Sequence, residues 1–257
     1  MKISMRIAIP VFAALMFLMQ GGAADAAEIR VLSSFGMQAV VEDLGPKFER
    51  ETGHKLAITF ATLGATVKRV HGGENFDIVI ALQRGIDGFV KDGKTVVGNV
   101  TVLARTGMGV AVRTGAPRPD ISSPEAFKRT LLAARSITYT NPATGGASGI
   151  HFAKVLDRLG IANEMKPKTV FLPRAGPVGA LVANGEAEIV VQPFQLLIAV
   201  PGIDIVGPLP GDLQETEVFA AAIMDSTKGA AASKALVDFL HSPEAARVIK
   251  AKGMEPN

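Results

Sequence analysis

Residues 28–82 read EIRVLSSFGMQAVVEDLGPKFERETGHKLAITFATLGATVKRVHGGENFDIVIAL, and two periodicities alternate along them. Ile29-Arg30-Val31-Leu32 predicts a short strand. Val40, Val41, Leu44 and Phe48 then recur at helical spacing, and Gly53 closes that helix. Leu56, Ile58 and Phe60 alternate with Lys55, Ala57 and Thr59, as a strand does, and Leu63, Val67 and Val70 give a second helix ended by Gly72-Gly73. Ile78-Val79-Ile80-Ala81-Leu82 is apolar without a break, the pattern of a strand covered on both faces of a parallel sheet. The order β-α-β-α-β predicts an α/β fold of the doubly wound, Rossmann-like kind.

Downstream the rhythm changes and then resumes. Two strand-like runs, Val100–Ala104 and Met108–Arg113, follow each other with Thr106-Gly107 between them. Helices are then expected from Pro124, over His151–Leu159 and over Val178–Ala183, with strands at Ser136–Thr140, Val170-Phe171 and Ile189–Val191. Val218–Ile223 reads as a strand, and Ala230–Leu240 and Pro243–Lys252 as helices. Ser123-Pro124-Glu125 and Ser242-Pro243-Glu244 are helix starts, a capping hydroxyl followed by proline in the first turn. A break with α/β rhythm on both sides predicts two lobes. The expected division is residues 27–104 plus 214–257 for lobe 1 and 105–213 for lobe 2, joined by two hinge strands.

Residues 1–26 have the pattern of a secretory signal peptide: Lys2 and Arg6, an apolar stretch Ile7–Met19, and small residues at Ala24-Asp25-Ala26. That stretch is shorter than the roughly 20 residues of a spanning helix. Cleavage after Ala26 would release an exported monomer into the periplasm, without stable membrane insertion. No cysteine is present in the 257 residues, which excludes disulfides, thiolate metal sites, cysteine nucleophiles and a lipid-modified anchor together. Past Ala26 the chain holds 25 basic and 23 acidic residues, scattered, so no concentrated face for nucleic acid is expected.

In open parallel sheets, ligands bind beyond the carboxyl ends of the strands, where helices begin. Those junctions hold Ser33-Ser34-Phe35-Gly36, Thr62-Leu63-Gly64, Gln83-Arg84-Gly85, the glycine-rich Asn141–Gly149, Arg174-Ala175-Gly176 and Gln192-Pro193. Hydroxyl, amide and glycine residues there allow unpaired backbone N–H groups to reach an anion. Any single junction is explained as well by capping. The nine-residue loop is longer than the two to six residues such a connection usually takes, so it is expected to touch ligand. Other motifs lack their context. Gly88–Thr95 fits a phosphate-loop pattern without a preceding strand, and Gly146-Ala147-Ser148-Gly149 lacks the second glycine of a nucleophile elbow. The four histidines have no metal-binding spacing, and no metal or cofactor is expected.

These junctions in this order resemble the periplasmic molybdate-binding protein family of ABC importers, a branch of the type II solute-binding proteins. The resemblance is strongest at Thr140-Asn141-Pro142, Ala183–Glu188, Phe239–Ala246 and Lys252–Pro256. It implies two α/β lobes closing over an anion, a molybdate-type oxyanion or a small organic carboxylate, which is delivered to an ABC permease subunit. Carried over by position, the family's first oxyanion serine falls at Gly36, with Ser33 and Ser34 just upstream, and its second at Thr62. The lobe-2 contacts fall around Ala147, Ser148 and Gly149 and around Ala175 and Gly176, and the cleft tyrosine falls near Gln192. Arg84 and Arg174 add guanidinium groups suited to planar carboxylates; surface ion pairing explains them equally. The chain is also similar to the aconitate isomerase branch of this fold. That resemblance implies an enzymatic alternative, isomerisation of an unsaturated tricarboxylate, with His151 or a cleft hydroxyl as base.

Overall fold

A computed structural model describes residues 26–172 and 178–257. The first half of the chain follows the expected alternation: β1 (Glu28–Ser34), α1 (Gln38–Thr52), β2 (Lys55–Ala61), α2 (Leu63–His71), β3 (Ile78–Leu82) and α3 (Gln83–Lys91). Gly53 ends α1 at a φ of 75°, a left-handed cap that favours glycine. A long strand β4 (Val100–Arg113) follows, then α4 (Pro124–Ala133), β5 (Ile137–Tyr139), α5 (Ala147–Arg158), α6 (Ala162–Met165) and α7 (Gly179–Ala183). The chain closes through β6 (Ile189–Pro193), α8 (Phe194–Ile198), β7 (Ile203–Pro208), β8 (Thr216–Ile223), α9 (Ala230–Leu240), α10 (Pro243–Ala251) and β9 (Glu255–Pro256).

The sheet order is β2-β1-β3-β8-β4-β6-β5, with β7 and β9 also pairing with β4. β1 runs parallel to β2 and β3, and β5 parallel to β6, whereas β4 and β8 are antiparallel to their neighbours. β4 belongs to both lobes. Its Val100–Gly107 portion pairs with β8 and its Met108–Arg113 portion with β6 and β7. Where β8 has not yet begun, the Gln214 side chain continues the pairing: its Oε1 accepts from the Met108 N–H at 2.7 Å and its Nε2 donates to the Met108 carbonyl at 2.8 Å.

Each lobe has helices on both faces of its strands, because alternate residues supply different cores. Ile78, Ile80 and Leu82 of β3 pack with Val40, Leu44 and Phe48 of α1 and Leu236 and Leu240 of α9. Val79 and Ala81 face the other way, toward Val70 of α2 and Ile86 and Phe89 of α3. In the second lobe, Val110 and Val191 join Phe127, Phe152 and Leu156, while Ala111 and Val190 join Leu181 and Val182 of α7. Tyr139, the single tyrosine, is buried with its ring edge-on to Phe152 and Phe171 at centroid distances of 4.9 and 5.0 Å.

Three sequence expectations are corrected, and one strand is added. The two strand-like runs around Thr106-Gly107 form one continuous strand, because Gly107 makes room for the Gln214 amide, 3.1 Å from where a Cβ would lie. The strand expected near Val170-Phe171 is reduced among the described residues to a single parallel bridge, Thr169 beside Ile137, with the Val170 N–H donating to the Ile137 carbonyl. The helix expected from His151 begins at Ala147, so the connection before it is shorter and contains a 3-10 turn at Pro142–Thr144. β7, half-buried and bounded by Gly202 and Pro208, had no sequence reading.

Candidate anion-binding cleft

The carboxyl ends of β1, β2 and β5 and the start of α5 converge on one cavity of about 320 Å³, in the lower range of small-molecule sites. Two helix starts face it from opposite lobes. Ser34, Phe35 and Gly36 open a 3-10 turn that runs into α1, and Gly146, Ala147 and Ser148 open α5. Neither start has a side-chain cap or an acidic residue in its first turn. By contrast α2, α4 and α10 are capped by the hydroxyls of Thr62, Ser123 and Ser242. Uncapped first-turn N–H groups at the positive end of a helix dipole favour an anion.

Two further donors point to the same conclusion. Ser34 Oγ and Gln195 Nε2 are buried in the cavity wall without a hydrogen-bond partner among the described residues. Gln195 is held by its other end, where its Oε1 accepts from Thr106 Oγ1 at 2.9 Å. A buried donor left without a partner costs about 1–3 kcal/mol, so these groups are poised for a bound acceptor. The rest of the wall is apolar, with Phe35, Leu63, Leu82, Leu196 and Phe219.

The lobes touch over the cavity. Thr62 Oγ1 donates to the Thr144 carbonyl at 3.0 Å, and the Gly64 N–H donates to the Gly145 carbonyl at 3.3 Å. A Cβ at Gly64 would lie 3.4 Å from the Gly145 Cα, so small residues on both sides permit this approach. Gly145 itself has a φ of 72°, where side chains are strained.

Of the residues singled out from sequence, Ser34, Gly36, Thr62, Ala147 and Ser148 come together in the wall. Thr62 does so while capping α2 and bridging the lobes. Gly36 offers its backbone only. A Cβ there would meet the Phe219 ring at 2.5 Å, so Phe219 fills the space a serine side chain would need. Ser33 is fully buried outside the wall, and Gly149 is explained by packing, since a Cβ would lie 2.0 Å from the Thr140 carbonyl oxygen. Gln192 is buried behind the wall, where its Nε2 donates to Thr140 Oγ1 at 3.0 Å. Arg84 is half-exposed and pairs with Glu215 at 3.2 Å, the surface ion pairing that stood as its equal alternative. Arg174, Ala175 and Gly176 lie outside the described residues. His151 turns away from the cavity: Nδ1 faces Glu215 at 2.8 Å and Nε2 the Leu213 carbonyl at 3.0 Å.

The wall residues that sequence reasoning missed include Gln195, Phe219 and Glu217. Glu217 is 5% exposed at the start of β8, opposite Thr106 on β4. Burial pushes its carboxyl up to about 7, the distant Arg84 charge lowering it and Glu215 raising it. A lone acid opening an otherwise apolar strand, Thr216–Ile223, was the available signal. Among the described residues no cluster of histidine and acidic groups is placed to hold a metal ion.

Two α/β lobes joined through β4 and through the segment that leads into β8, with a donor-lined cavity beneath their contact, define a molecule of the periplasmic binding protein class. The chain belongs to the family of bacterial extracellular solute-binding proteins, whose pattern matches residues 29–255. It is 35% identical to an aconitate isomerase of Pseudomonas sp. over 89% of this chain and 87% of that one. It is 30% identical to the molybdate-binding protein ModA of Azotobacter vinelandii over 90% and 91%. Among solved structures, the Azotobacter vinelandii periplasmic molybdate-binding protein superposes with a TM-score of 0.68 at 19% identity, covering 88% of this chain and 98% of that one.

Proposed function

We propose that the chain is a periplasmic binding protein that captures a small organic anion between its lobes and presents it to the permease of an ABC importer. The moving bodies are residues 27–104 plus 214–257 and residues 105–213, released as a soluble protein once 1–26 are removed. No helix among the described residues is long and apolar enough to cross a membrane, which agrees with this reading. The observation that carries it is the convergence of buried, partnerless donors, Ser34 Oγ and Gln195 Nε2, with two uncapped helix starts. The Ala147 and Ser148 amides supply the lobe-2 contacts, and Arg174, Ala175 and Gly176 are assigned to the site from the family resemblance. Apolar walls favour a ligand with a carbon skeleton over a bare oxyanion, which would present only oxygens to Phe35, Leu196 and Phe219. Only a ligand that contacts both lobes can favour the closed state. Thermal melting with trans-aconitate, citrate, molybdate, tungstate and sulfate tests the proposal. A carboxylate is expected to raise Tm most, and no shift with any of the five would reject it.

A second reading is favoured by Glu217, a carboxyl in the cavity whose pKa of about 7 suits proton transfer near neutral pH. It is also favoured by the 35% identical relative named aconitate isomerase. In this reading Glu217, and not His151, moves the proton. Incubating aconitate with the protein in deuterated buffer decides it: an unchanged isomer ratio with no deuterium uptake excludes catalysis.

A further inference from the structure

Glu217 lies at the start of β8, where the chain re-enters the first lobe, and borders the cavity together with Ser34, Gln195 and Phe219. Its carboxyl has no hydrogen-bond or ion-pair partner among the described residues, although its backbone pairs with β4. The charged groups acting on it are Arg84 of α3 and Glu215 of the segment before β8. Arg84 is committed to Glu215, and Glu215 is also held by His151 of α5, so no cation is left beside the Glu217 carboxyl among the described residues. Every other polar group identified in the wall favours an anion, yet this one, if ionised, would repel it.

We propose that Glu217 selects the ligand in its protonated form, donating its O–H to an anionic oxygen, so that capture takes up one proton from solvent. This deepens the reading that the cavity takes an anion and rests on it. Two negative charges sharing a closed, poorly solvated site do not both persist, and the one that can accept a proton does so. Burial has already brought the free carboxyl to about 7, and a bound anion raises it further. Above pH 7 the affinity therefore falls by up to about tenfold per pH unit, the slope of one linked proton.

The test is calorimetric titration of wild type and Glu217→Gln with trans-aconitate, citrate and molybdate at pH 7.5, 8 and 8.5, in two buffers of different ionisation enthalpy. Glutamine keeps the volume and a donor but cannot titrate. Wild type is expected to take up close to one proton per ligand and to weaken with pH. Glu217→Gln should take up none and hold a constant affinity. Binding by wild type without proton uptake overturns the inference while leaving anion capture standing, and that measurement does not depend on the variant folding. Equal proton uptake by both proteins also overturns it. Absence of binding by either protein to all three probes refutes the anion reading itself.

Discussion

Replacing Glu217 by glutamine should stabilise the ligand-free protein increasingly as pH rises. In the folded chain the carboxyl is pushed from 4.5 up to about 7, largely by burial. Between those values the native state holds a proton that the unfolded chain has released. Stability therefore falls as pH rises through this window and levels off above 7. At 1.36 kcal/mol per pH unit the span is worth about 3 kcal/mol. Glutamine has no such dependence, so the stability difference between variant and wild type should grow by about 3 kcal/mol from pH 4.5 to pH 8. Urea unfolding followed by far-ultraviolet circular dichroism at pH 4.5, 6, 7 and 8 measures it. All other ionisable groups are common to the two proteins and cancel in the difference. A difference that stays constant across the range would show that Glu217 is ionised in the fold, and the account of the cavity wall would be wrong.

Serine at Gly36 should overpack against Phe219 and destabilise by about 1–3 kcal/mol, and Phe219→Ala alone should cost about 3–5 kcal/mol. The double variant should lose less than the sum, read as a coupling energy in denaturant melts. Gly149→Ala should push the start of α5 away from the Thr140 carbonyl, lowering stability by about 1–3 kcal/mol and weakening ligand binding in the same titrations. Thr62→Val removes both the α2 cap and the bond to Thr144, so it should cost about 1 kcal/mol and reduce affinity. Ser242→Ala removes a cap remote from the cavity; it should cost about the same and leave affinity unchanged.

What could be read from the sequence was local. The unbroken apolar run of β3 reported a strand buried on both faces, and all five of its residues are buried. The serine-proline starts of α4 and α10 placed those helices because a cap is made within four residues of chain. The long-range features were hidden. Thr106-Gly107 looks like a turn unless Gln214, more than a hundred residues later, is known to lie against it. Gln195 and Glu217 sit beside ordinary apolar residues in sequence. They become remarkable only because β4, β8 and α8 bring them to one wall. Phe219 explains the departure at Gly36, but only contact between the two positions reveals it.

With no tryptophan and one tyrosine beside 13 weakly emitting phenylalanines, the ultraviolet emission of this chain is dominated by a single phenol. Tyr139 directly precedes Thr140, whose side borders the cavity, and its ring leans on Phe152 of the helix whose first turn forms another part of that border. Filling the cavity thus perturbs the neighbourhood of the dominant fluorophore, and occupancy can be followed optically in unlabelled protein.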